Sequence, residues 1–270
     1  MNNIYRFISF ESFVDLIQKR ELAFINPTLW DDPYEGFIFA AMETETGKKR
    51  ILNFLSKNFP KNQIPTLAIL ETFYPNLFAQ SWTKKDESDA LWRIYSHGSK
   101  ALRIETSLSK IEELKKVRAK DVIYVDKLDL HSELKGLFSN NGNTMELDKA
   151  ITVKRSSFSH EKEVRLIHDI EQLILPPRNP KMEKLMPLAL KALLEKGEIS
   201  RDEYKNGIKN LSPVHSDGIK HVPFGHIENF IQSVMVHPLA PDWYAETVKD
   251  FCTKNKIKFL GKSKLYKLSI

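Results

Sequence analysis

At 270 residues, with 41% hydrophobic and 28% charged side chains, the chain has the composition of a water-soluble globular protein with a sizeable core. Its 16 Phe, 8 Tyr and 4 Trp exclude an unpacked, disordered chain. One cysteine, Cys252, excludes an internal disulfide and a multi-cysteine zinc site, and no apolar run approaches the roughly 18 residues that cross a bilayer. The opening MNNIYRFISFESF lacks the basic start and cleavage site of a signal peptide, so a cytoplasmic location without membrane contact is expected.

The 41 Lys+Arg outweigh 35 Asp+Glu by +6. Lys254, Lys256, Lys258, Lys262, Lys264 and Lys267, with no acid in residues 251–270, account for the whole excess. Lys256 and Lys258 alternate with Ile257 and Phe259, which suits an edge strand whose lysines block sheet-to-sheet pairing. Attraction of a phosphate polymer is the other reading of the same charge.

In chain order, residues 4–7 read as a strand. Phe10, Phe13, Val14 and Ile17 then mark one face of a helix, with Ser9 as its N-cap. Residues 22–25 form a second strand ending at Asn26-Pro27, and a loop over residues 28–36 leads into helical sequence to about residue 58. A strand at 77–83 precedes a short helix at 89–97. Strands at 101–105 and 122–125 flank an amphipathic helix at 108–117. Helical sequence near 144–153 leads to the polar run 154–160 and a strand at 163–168. Residues 171–218, with Pro176, Pro177, Pro180 and Pro187 before charged helices, read as a helical insertion or cap. A β-α-β unit closes the chain: a strand at 231–236, a helix from about Pro241 and a strand at 257–260, followed by a last strand at 265–268. The expectation is a single α+β domain over residues 1–270 with a mixed, mainly antiparallel sheet flanked by helices.

Three stretches carry candidate chemistry. In a strand, Glu161, Glu163 and Arg165 line one face while Val164 and Leu166 line the other, with the two carboxylates about 7 Å apart along the strand. The loop from Trp30 to Gly36 mixes Asp31, Asp32, Tyr34 and Glu35; Asp32-Pro33 suits a cap or turn, and the remainder suits binding. Trp92 and Tyr95, at i and i+3 beyond Ser81-Trp82-Thr83, share a helix face that serves either core packing or stacking on a planar ring. Arg6, on an apolar strand, needs an anionic partner if buried. His221 and His226, five apart around a Pro and a Gly, read as loop residues rather than a metal pair. No phosphate-binding glycine loop, serine-nucleophile elbow or zinc-protease helix is present, and 10 Gly make a Rossmann fold improbable.

Tyr5-Arg6-Phe7, Ala23 to Pro27 and Trp30 to Glu35 resemble the opening of the bacterial family called "domain of unknown function 2971". Phe78 to Trp82 with Leu91-Trp92-x-x-Tyr95, and Lys154 with Glu161-x-Glu163-x-Arg165-Leu166, are similar to its central and late motifs. Asp31 stands for the usual Asn, Tyr34 for the usual Phe, and Gln80 separates Phe78 from Ser81. More distantly, the order Arg6, Ser81, Glu161-x-Glu163 resembles ADP-ribosyltransferases of the arginine-type subgroup.

That second resemblance implies an ADP-ribosyltransferase-like fold and an enzyme that consumes NAD as substrate, by ADP-ribosyl transfer or as an NAD glycohydrolase. Under it, Glu163 sits beneath the nicotinamide ribose, Glu161 positions or deprotonates the acceptor, and Arg6 pairs with the pyrophosphate. Ser81, Trp92, Tyr95, Tyr34 and Asp32 complete the nucleotide site, with stacking by Tyr95 or Trp92. The acceptor is a protein, a nucleic acid or a small nucleotide, and the family's bacterial setting implies a toxin or antiphage-defence effector. Two rivals stand beside it. One is a metal-dependent nuclease or phosphodiesterase using Asp31, Asp32, Glu35, Glu161 and Glu163 as hard oxygen ligands for Mg²⁺. The other is a non-catalytic binding module, docking through its basic face or residues 171–218.

Overall fold

The computed structural model describes residues 2–32, 34–58, 77–137, 144–168, 173–174, 218–225 and 230–268. Strand β1 (Asn3–Ser9) runs into helix α1 (Phe10–Lys19), which returns to β2 (Glu21–Ile25). Ser9 begins the helix by accepting the Ser12 N–H at 3.2 Å, Glu11 and Lys19 complement its dipole, and Arg20 ends it in a left-handed conformation. Helices α2 (Phe37–Met42) and α3 (Glu45–Asn58) follow. The single helical stretch expected there is broken because Thr44 caps α3 through the Gly47 N–H. Gly47 lies so close to α2 that a Cβ would come within 1.9 Å of the Ala41 carbonyl oxygen.

Next come β3 (Ala79–Thr83), α4 (Asp89–Tyr95), β4 (Ala101–Ser107), α5 (Leu108–Glu112), β5 (Val117–Asp121), β6 (Ile123–Val125) and α6 (Leu130–Leu137). The helix expected to reach residue 117 stops at Glu112, since Val117–Asp121 pairs along the whole of a later strand. Strands β7 (Thr144–Met145) and β8 (Val153–Arg155) flank a 3₁₀ segment at Leu147–Ile151, where sequence reading expects a helix. Strands β9 (Glu163–His168), β10 (Leu173–Ile174), β11 (Ile219–Pro223) and β12 (Ser233–Val236), helix α7 (Asp242–Lys254) and strand β13 (Lys258–Lys262) complete the order. Residues 265–268 form a turn and tail instead of a last strand. Almost all of the 171–218 stretch expected to be an insertion or cap lies outside the described residues.

The protein is α+β with a mixed, mainly antiparallel sheet. Among the described pairings only β12 with β13 and β6 with β8 are parallel. The former is the expected β-α-β unit, and β13 forms one edge of the sheet with Lys258 exposed, as the alternating lysines suggest. Among the described residues no helix is long and apolar enough to cross a membrane.

The sheet forks. One side of β3 pairs with β9 over five residue pairs, and β9 pairs with β5. On the other side β3 meets β1 at Tyr5–Thr83 and β2 at Ile25–Ala79, one register pair each. Strands β3, β9 and β5 thus form a stem from which two arms diverge, β1-β4-β12-β13 and β2-β11. Helix α1 links the arms, burying Phe13 and Leu16 in a core with Trp82, Val164, Leu166 and Ile104. Each such side chain contributes about 1.5–3 kcal/mol. On the opposite side, α2, α3 and α6 bury Phe39, Ile51, Leu55 and Leu137 with Ala79 and Ile167. Buried Gln80 braces the fork, accepting from the Trp82 indole at 2.8 Å and donating to the Ala23 carbonyl on β2 at 2.8 Å.

Candidate active site

A cavity of about 690 Å³ occupies the fork. It is lined by five consecutive residues of β1, Tyr5 to Ser9, and by Glu21, Ala23 and Ile25 of β2. Side chains of a strand alternate between faces, so a run of consecutive lining residues means that the strand's edge forms the wall. Ser81 and Thr83 of β3 are the floor, and Tyr95, Glu161 and Glu163 close one end. Opposed residues in an antiparallel pair share a face. The register therefore puts Tyr5, Ser81, Thr83, Glu163 and Arg165 on one face, and Arg6, Gln80, Trp82 and Val164 on the other. Arg6, on the other face of β1, and the two carboxylates nevertheless line the same cavity.

Behind the cavity lies a buried charge cluster. The Lys154 ammonium donates to three carboxylates: Glu35 at 2.7 Å, Glu161 at 2.8 Å and Glu163 at 3.1 Å. An ammonium has three protons, and each has an acceptor here. Arg165, wholly buried, donates through Nε to Glu163 Oε1 at 2.9 Å, and its Nη2 also reaches Glu163. It further donates to Glu35 Oε2 at 2.9 Å and the Ile151 carbonyl at 2.6 Å, and its plane lies 4.3 Å from the Trp30 ring. The Ser81 hydroxyl donates to Glu163 Oε1.

The network is unequal in one respect. Both oxygens of Glu163 and both of Glu35 accept charged donors, whereas among the described residues Glu161 uses only Oε2, toward Lys154. Three carboxylates face two cations, so one negative charge is uncompensated, and Glu161 is the member with a free oxygen at the cavity wall. Glu161 is not on the strand. It ends a 3₁₀ segment at Ser156–Glu161, and Lys162, with φ 43°, turns the chain before β9 begins at Glu163. Thr83 pins this turn by donating its hydroxyl to the Glu161 carbonyl.

Burial alone would raise the Glu163 pKa, but Arg165 and Lys154 overcome it and hold the carboxyl below its ordinary value. Burial alone would lower the pKa of Lys154, and Glu163 with Glu35 reverses this to a net rise. Arg165 behaves likewise. Arg6 is the contrast. Among the described residues its guanidinium has no hydrogen-bond or ion-pair partner. Its accessible surface is modest, and desolvation drives its pKa down to about 10 against an opposing contribution from Tyr95. It still carries a full positive charge at neutral pH. Burial followed by the charge of Glu161 pushes the Tyr95 hydroxyl up to about 12, so it is a neutral donor.

Of the residues the sequence nominates, Arg6, Ser81, Tyr95, Glu161 and Glu163 share the cavity. Trp92, Tyr34 and Asp32 are not among its lining residues. Trp92 is fully buried against Phe7 and His237, with its indole N–H on Glu87 at 3.0 Å. Asp32 accepts from the Tyr34 N–H, as a turn cap does, and pairs with Arg155 at 3.1 Å, while Tyr34 stacks on that same guanidinium. Lys154, visible in sequence only as a motif member, and Glu35, offered there to a metal or a ligand, prove to be central to the cluster. His221 lies on β11, not in a loop, and lines the cavity beside Glu21; His226 lies outside the described residues. The carboxylates offered to Mg²⁺ are dispersed: Asp32 is held by Arg155, and Glu35, Glu161 and Glu163 surround the Lys154 ammonium, which occupies the place a cation would take.

Compared with protein-family models, curated proteins and solved structures, the chain matches none.

Proposed function

We propose that the protein is an ADP-ribosyltransferase-like enzyme that binds NAD⁺ in the fork of the sheet and cleaves its nicotinamide–ribose bond, passing ADP-ribose to water or to an acceptor. One observation carries this reading: among the described residues, a guanidinium without an ion-pair partner shares a cavity with a carboxylate oxygen that has no donor. A partly desolvated charge without a counter-charge is costly, and a bound anion relieves it. The pyrophosphate of NAD⁺ supplies that anion to Arg6. Cleavage of the glycosidic bond develops positive charge on the ribose, and a fixed carboxylate beside it lowers the barrier. Support also comes from the arrangement of β1, β3 and β9, which brings Arg6, Ser81 and the Glu161/Glu163 pair together in the order the resemblance leads one to expect.

The geometry favours a division of labour different from the one the resemblance implies. Glu163 is saturated by Ser81, Arg165 and Lys154, and serves as the hub. Glu161, with its free oxygen, is the group that stabilises the ribose cation. Tyr95 is exposed enough to stack on nicotinamide, a role that buried Trp92 does not share. The test is nicotinamide release from NAD⁺ by purified protein, with mass spectrometry for ADP-ribose addition to added protein or nucleic acid. Glu161→Gln, folded as judged by an unchanged circular dichroism spectrum, is expected to lose about 100-fold or more in rate. Absence of release from the wild type, with no NAD⁺ protection against heat unfolding, overturns the proposal.

A further inference from the structure

The cavity contains a second ionisable pair, and the roles assigned above leave it unused. His221 on β11 places Nδ1 3.4 Å from Glu21 Oε2 on β2, and both residues line the cavity. They face the same way as Ser81 and Thr83, because β11 pairs with β2 at His221–Ala23 and β2 meets β3 at Ile25–Ala79. Neither side chain has another ion-pair or hydrogen-bond partner among the described residues. A carboxylate beside Nδ1 favours the tautomer with the proton on Nδ1, leaving the lone pair on Nε2 as an acceptor. Glu161 enters the cavity from the stem of the fork, and His221 from one arm. Cleavage by inversion needs a base that activates the nucleophile on the face of the sugar opposite the leaving group, and nicotinamide, which departs neutral, needs no acid.

We infer that His221 is the general base of the reaction and Glu21 its positioning residue; this rests on the NAD⁺-cleaving reading. A water molecule, or the hydroxyl or amine of an acceptor, attacks the anomeric carbon of the ribose. The bond to nicotinamide breaks with its electron pair passing to the pyridinium nitrogen, which leaves neutral. The proton of the nucleophile passes to Nε2, giving an imidazolium beside the Glu21 carboxylate. Base catalysis of this kind is worth about 10²–10⁴-fold.

The experiment compares nicotinamide release and NAD⁺-induced heat protection in wild type, His221→Gln, His221→Gly and Glu21→Gln. The expected result is a loss in kcat of about 100-fold or more for His221→Gln with KM nearly unchanged. Added imidazole should restore turnover to His221→Gly and leave His221→Gln unaffected, which a merely structural histidine would not do. Glu21→Gln should lower kcat by about 10-fold through misorientation of the ring. His221 lies on the edge strand β11 and Glu21 on its neighbour β2, and His221→Asn is tested beside the Gln variant in case either is unstable. Wild-type turnover in both the Gln and Asn variants overturns the base and leaves the NAD⁺ reading standing. Absence of both release and protection in the wild type overturns the two together.

Discussion

The two ends of the charge system around the fork obey opposite rules. At Glu163, Arg165, Lys154 and Glu35 every charged group has charged partners, the first three side chains are buried, and their pKa values move so as to keep all three ionised. At the cavity wall, among the described residues, Arg6 has no ion-pair partner and one oxygen of Glu161 has no donor. A saturated network has nothing left to offer a ligand, whereas an unsatisfied one is poised for binding at some cost to the free protein. The motif residues thus divide into those that hold the site and those that act in it, and the division is made by hydrogen-bond accounting.

The comparison breaks most visibly at the saturated end. Arg165→Leu leaves Glu163 and Glu35 short of their buried donor and should destabilise the fold by about 3–5 kcal/mol in urea unfolding. A loss below about 1 kcal/mol would mean the cluster is wetter and weaker than its burial implies. At the unsatisfied end the sign reverses. Arg6→Met removes a partly desolvated charge that has no ion-pair partner among the described residues and should raise unfolding stability, by about 1 kcal/mol.

Acid sharpens the contrast. The folded pKa of Glu163 lies below its unfolded value of about 4.3, so its contribution is fully present above that value and disappears as pH falls through the folded pKa. The difference in urea midpoint between wild type and Glu163→Gln should therefore stay constant from pH 7 to about 5 and narrow below about 4. The smallest effects separate two aromatic rings one helical turn apart. Trp92→Phe should cost about 1 kcal/mol of stability through the lost indole hydrogen bond and leave nicotinamide release near wild type. Tyr95→Ala should do the reverse, weakening turnover with little effect on the urea midpoint.

Much of the local structure was legible in the sequence. The spacing of Phe10, Phe13, Val14 and Ile17 marks α1, and the alternation of Val164 and Leu166 against Glu163 and Arg165 marks β9. The misread elements are those decided by distant partners. Residues up to Val117 suit an amphipathic helix, and nothing local marks 117–121 as a strand until β9 is there to pair with them. His221 is flanked by Pro223 and Gly225, which read as loop, but β2 offers it an antiparallel partner. The fork was not legible at all, because it arises from single contacts of β3 with β1 and with β2, more than 50 residues away in sequence. Gln80, conspicuous only as a departure from a motif, proves to span that fork. The roles of Glu161 and Glu163 could not be told apart from a two-residue spacing. The left-handed turn at Lys162 takes Glu161 off the strand and out to the cavity wall.

Heat unfolding with and without NAD⁺, in wild type and Arg6→Met side by side, asks whether the Arg6 guanidinium is there for a ligand. NAD⁺ should raise the wild-type Tm and not that of Arg6→Met, although the variant starts from the higher Tm without ligand. Equal shifts in the two proteins, or no shift in the wild type, would contradict it.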